Sequence, residues 1–189
     1  MKCIKGLVHY SRALVFSFFL LNPNLYAVDS YYVGADLSYA GVSSTQEFTN
    51  GSQDQGTGFH IGYKFTEYSF ELGYGKYNYI NTHFRTEDNI DVSDFIEDTF
   101  VSFGVRGQHN EYFESKFGVS INQITGTFTG SDGSEYFSPV DGTFFGIYFG
   151  TGPKITFNGD LDIYFDFTLR RISKDIFTVG YDLGARFYF

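Results

Sequence analysis

Residues Ile176 to Phe189 read IFTVGYDLGARFYF, and the spacing of their apolar side chains sets the reading of the whole chain. Successive side chains of a strand point to opposite faces. One face of this stretch would carry Val179, Tyr181, Leu183, Ala185, Phe187 and Phe189. The other would carry Thr178, Gly180, Asp182, Gly184, Arg186 and Tyr188, a small and polar set. Such a ribbon suits a half-buried antiparallel strand.

The same alternation recurs upstream and predicts seven further strands. They run about Tyr31 to Ala40, Thr57 to Phe65, Tyr68 to Tyr77, Thr99 to Arg106, Phe113 to Ile121, Phe145 to Thr156 and Leu161 to Leu169. Short turns fall near Thr66-Glu67, Gln108 to Asn110 and Asn158-Gly159. Longer connectors cover about 41 to 56, 78 to 98 and 123 to 141, with a brief one near Arg171 to Asp175. Short turns at one end and long loops at the other predict an all-β, eight-stranded antiparallel up-and-down transmembrane β-barrel, its short turns facing the periplasm. A three-residue loop from Phe157 to Gly159, with Gly159 left-handed, keeps the inside and outside faces in phase and sets Lys154 opposite Asp162. Residues 87 to 98 leave room for an extra hairpin or a short surface helix.

Composition agrees. Aromatic residues make up 21% of the chain, 24 Phe and 16 Tyr with no Trp, and proline is confined to three positions. Strands favour aromatics, and membrane interfaces favour Tyr. The negative mean hydropathy is no obstacle, because only alternate residues of a barrel strand face lipid. Residues 1 to 27 read as a secretory signal peptide: Lys2, Lys5 and Arg12 precede the apolar run Ala13 to Leu21, and Ala27 ends a plausible cleavage site. That run is far short of the roughly 20 residues a membrane helix needs. The barrel domain then spans 28 to 189, without cysteine, since Cys3 leaves with the leader. The leader holds three of the 13 Lys+Arg and none of the 22 Asp+Glu, so the mature charge is 10 − 22 = −12. Such a balance excludes nucleic acid as a partner.

The inward face collects Asp36, Glu71, Glu114, Asp162, Asp166 and Asp182 with Lys64, Arg106, Lys116, Lys154, Arg170 and Arg186, and His60. Six acids against six bases predict a salt-bridged lumen charge network filling the narrow barrel. A conducting lumen is the alternative. Lumen glycines such as Gly104, Gly118 and Gly146 leave space for waters or for Tyr148 and Tyr164. No catalytic, metal or cofactor motif emerges: His9 leaves with the leader, His83 lies in a long loop, His109 lies in a short turn, and only His60 faces the lumen. Asp88, Asp91 and Asp94, in an acidic loop, lack the spacing of a calcium loop.

With its signal peptide, alternating strands, unequal loops and terminal Phe189, the chain resembles the small bacterial outer-membrane β-barrel family, which includes the OmpA transmembrane domain and OmpX/Ail-type proteins. Glu71-Leu72-Gly73-Tyr74 resembles a recurring third-strand segment. Gly180 through Phe189 resembles the C-terminal assembly signal, with Tyr181, Leu183, Ala185, Phe187 and Phe189 as its apolar positions. The resemblance implies an outer-membrane location, outer-membrane lipid and lipopolysaccharide as surroundings, and the barrel assembly machinery as a partner in biogenesis. It also implies a structural or surface-interacting, non-enzymatic role, with host or surface ligands met through the long loops. Lipid-A deacylases of similar size use a His/Ser pair near the C-terminal strands; no His follows His109, so that role is not carried over. Without a peptidoglycan-binding domain, no tether to the cell wall is expected.

Overall fold

The computed structural model describes residues 29–44, 53–85, 91–130, 133, 135–136, 141–173 and 176–189. The predicted leader lies outside them, as do the centres of the longer connectors. The strands are β1 (Ser30–Ser44), β2 (Gln53–Phe65), β3 (Tyr68–Arg85), β4 (Asp91–Asn110), β5 (Phe113–Gly130), β6 (Glu135–Tyr136), β7 (Gly142–Phe157), β8 (Leu161–Arg171) and β9 (Ile176–Tyr188). Eight of them form one antiparallel sheet in chain order, and β1 pairs with β9, so the sheet closes into a barrel. The ninth, β6, adds two residues to the edge of β5.

Register fixes the barrel's shape. A rung that starts at Val33 passes through Ile61, Leu72, Phe103, Val119, Ile147, Arg171 and Phe177, and returns to β1 at Ser43. The stagger of ten residues tilts the strands about 40° from the axis, and leaves an eight-stranded interior just wide enough for side chains.

Polarity is inverted relative to a soluble barrel. Outward side chains of the middle section are apolar and open: Leu37 is 65% exposed, Phe59 64%, Ile121 59% and Phe145 68%. Inward ones are buried and charged. This arrangement suits a hydrocarbon surround, where each apolar side chain gains nothing by turning inward. Above Tyr74, Val101 and Ile121 the pattern switches. There Lys76, Asn78, Glu97, Thr99, Gln123 and Thr125 point outward, while Tyr77, Tyr79, Ile96, Phe100 and Ile124 turn inward and pack with Ala40 and Ile172. An apolar cap therefore closes one end of the interior, and its outer wall has the polarity of a water-facing sheet.

The switch accounts for the largest departure from the sequence reading. The stretch 78 to 98, expected as a loop, is mostly strand: β3 runs on to Arg85 and β4 begins at Asp91. Likewise β5 continues to Gly130. Two turns also differ. The β4–β5 turn is Glu111-Tyr112, not Gln108 to Asn110, because a bulge between Gln108 and Asn110 lengthens β4. The β7–β8 loop is Asn158 to Asp160, with Asn158 and Gly159 both left-handed, and it sets Lys154 opposite Tyr164 and Thr156 opposite Asp162.

Candidate functional site

Among the described residues, the buried charged side chains gather in the interior. Arg106 of β4 and Arg186 of β9 approach from opposite walls and share one carboxylate, Glu114 of β5. Arg106 Nη1 donates to Glu114 Oε1 at 2.6 Å, and Arg186 Nη2 to the same oxygen at 2.5 Å. From there the chain of charges runs both ways. Arg186 Nη2 lies 3.6 Å from Asp162 Oδ2, which also accepts from Lys154 Nζ at 3.2 Å and from the Tyr188 hydroxyl at 2.8 Å. Arg106 Nη1 donates to Asp166 Oδ2 at 3.1 Å. That oxygen lies 3.1 Å from Lys116 Nζ, which donates to Asp182 Oδ2 at 2.7 Å. The sequence Lys154, Asp162, Arg186, Glu114, Arg106, Asp166, Lys116, Asp182 alternates in sign at every link. Glu71 joins through Arg106 Nε at 3.4 Å, and receives the Tyr32 hydroxyl at 3.0 Å.

Of the other sequence-selected residues, Asp36 lies 3.4 Å from His60 Nδ1. Lys64 sits at the short-turn mouth, over the Tyr188 ring at 5.4 Å. Arg170 is held by rings, its guanidinium 4.5 Å from the centroids of both Tyr77 and Phe100 and 5.8 Å from that of Tyr148. Tyr164 is clasped between Arg186 at 4.6 Å and Arg106 at 4.9 Å.

Glycines make room for these rings. A Cβ on Gly62 would meet the Tyr32 ring, and one on Gly184 the Tyr164 ring. Tyr148 fills the space over Gly104 and Gly118 together. Voids of about 30 Å³ beside Asp36, His60 and Glu71, and about 10 Å³ beside Lys64 and Glu114, are left within the network. A water needs roughly 10–15 Å³ of such space, so these voids have room for one to three molecules each and not for a column.

Two features escaped the sequence reading. Asp98 is a seventh inward acid. It projects into the apolar cap, fully buried, between Ile96 and Phe100 and opposite Tyr77 and Ile124. Neither of its carboxylate oxygens has a hydrogen-bond partner. It lies beyond the apolar outer band, level with the outward Lys76–Glu97 ion pair. Burial pushes its carboxyl up to about 7, against the lowering influence of Arg170. The second feature is His109, expected in a turn, which the bulge folds over the outer wall so that Nε2 lies 2.9 Å from the Ser115 hydroxyl. Ser115 Oγ is 2.8 Å from Thr151 Oγ1, and Thr151 donates to the Glu114 carbonyl at 3.1 Å. With each hydroxyl donating onward, this chain ends on a backbone carbonyl and leaves His109 as donor. Ser115 is 5% exposed. That is an arrangement for sealing polar groups, not for presenting a nucleophile.

On β9, Tyr181, Leu183, Ala185 and Phe187 all face outward and are exposed. Phe189 exchanges backbone hydrogen bonds with Tyr31 at 2.9 and 3.3 Å, at the seam where the barrel closes.

No family model and no curated protein matches the chain. Solved structures do. Ail, the attachment invasion locus protein of Yersinia pestis, in complex with the heparin analogue sucrose octasulfate, is 12% identical, with a TM-score of 0.60 over 86% of this chain and 100% of that one. Neisserial surface protein A is 17% identical, with a TM-score of 0.55 over 84% of this chain and 97% of that one. A major outer membrane protein from Thermus thermophilus is 11% identical, with a TM-score of 0.61 over 86% of this chain and 100% of that one. The chain shares their barrel fold.

Proposed function

We propose that this chain is an integral outer-membrane protein, exported by a leader at residues 1 to 27, neither enzyme nor pore, which acts as a structural or surface-interacting barrel. The observation that carries this reading is the apolar outer band around a filled, charge-paired interior. The band suits outer-membrane lipid and lipopolysaccharide, and the β9 seam suits recognition by the barrel assembly machinery. Among the described residues, the voids found within the network are two separate spaces of about 30 and 10 Å³, which argues against the small-channel alternative. The buried Ser115 argues against lipid-modifying catalysis.

Contact with a host or surface ligand falls to the polar-walled extension of β3, β4 and β5 beyond the band. The acidic mature chain is poorly matched to the sulfated ligand of Ail, and a basic or neutral partner suits it better. Fractionation of expressing cells tests the location. The protein is expected in the outer membrane, with a gel mobility that changes on heating. Recovery as soluble periplasmic material overturns the proposal.

A further inference from the structure

Asp98 has no role in the charge network beneath it. The carboxyl sits in the apolar cap with neither oxygen bonded, whereas every other acid of the inward set has a hydrogen bond or an ion pair. A carboxylate left ionised and unpaired in such surroundings is costly, while its neutral form is tolerated. The groups packed around it are few. From β3 come Tyr77 and Tyr79, from β5 Ile124, from its own strand Ile96 and Phe100, and the cation that acts on it is Arg170 of β8. Arg170 is stacked on Tyr77 and Phe100 and interacts with Asp182 and Asp36 below, so it does not close on Asp98.

We propose that the cap is a proton-operated latch: with Asp98 neutral it packs and seals the wide-loop end of the interior, and when Asp98 ionises the cap loosens and admits water. The ionised carboxylate must be hydrated or must draw Arg170 out of its stack. Either movement separates the Tyr77 and Phe100 rings that hold the cap together. The position of Asp98 near neutrality places the transition within the range an external surface meets. The latch goes beyond the proposed function and needs only the folded barrel, so it stands or falls separately from the cellular role.

Thiol labelling of the refolded protein in lipid vesicles tests it, because the mature chain has no cysteine of its own. Ile124→Cys places a probe inside the cap, and Thr125→Cys places one on the open outer wall. The ratio of their maleimide labelling rates removes the thiol's own response to pH. That ratio is expected to rise roughly tenfold or more from about pH 5.5 to about pH 8.5, as a carboxyl near neutrality ionises. In an Asp98→Asn background it should stay flat. A flat ratio with Asp98 present, or an equal rise in the Asp98→Asn background, overturns the latch. Should Asp98→Asn fail to fold, Arg170→Met serves instead: loss of the cation must move the transition to higher pH, and an unmoved transition refutes the proposal.

Discussion

Glu114→Gln is the sharpest perturbation of the interior, because one oxygen of Glu114 accepts from two arginines. The substitution keeps shape and removes a charge. Arg106 retains Asp166 at 3.1 Å and Glu71 at 3.4 Å, but Arg186 is left with Asp162 at 3.6 Å. Removal of one partner of a buried ion pair costs about 3–5 kcal/mol, and Arg186 is only 1% exposed. The contrast is Lys76→Met, which breaks a 2.5 Å pair whose side chains are 43% and 35% exposed. That change should cost no more than about 1 kcal/mol. Urea unfolding in lipid vesicles, followed by far-ultraviolet circular dichroism, gives both values. Glu114→Gln combined with Arg186→Met should recover part of the loss, since it removes the orphaned cation too. A Glu114→Gln protein within about 1 kcal/mol of the parent would refute the reasoning, as would a double variant whose cost is the plain sum of the two singles.

Gly62→Ala should cost about 1–3 kcal/mol by displacing the Tyr32 ring and its bond to Glu71, measured by the same unfolding. Leu72→Arg puts a charge on the centre of the apolar band and should cost about 2–4 kcal/mol, with insertion into vesicles scored by the heat-dependent gel shift; unchanged insertion counts against the placement of the band. Deletion of Phe189, which removes the seam bonds to Tyr31, should lower the folded yield, and full insertion of the shortened chain would show that the residue has no role in assembly.

Legibility in the sequence followed polarity. Where lipid-facing residues are apolar and lumen residues polar, alternation revealed the strands and their faces, down to the inward set on β1 and β9. At Tyr77 the apolar residues change phase, from even positions through Tyr74 to odd positions at Tyr77 and Tyr79. A regular strand that passes from hydrocarbon to water therefore reads as the end of a strand. The acids of the 87 to 98 region add to that appearance, and Asp98 falls within the predicted loop although its side chain points inward. Of the lumen partners, the sequence places only Lys154 beside Asp162, and these two do meet, at 3.2 Å. Pairs such as Arg186 and Glu114 meet across the barrel at a separation of 72 residues, set by the ten-residue stagger and not by any spacing along the chain. The contact of His109 with Ser115 depends on a bulge, which inserts one residue and leaves no reliable trace in the alternation.

Planar-bilayer recording of the refolded protein tests the central claim, a barrel plugged by its own charges, most directly. The alternating network from Lys154 to Asp182 predicts a quiet membrane with no conductance steps. Reproducible steps from the purified protein would contradict it.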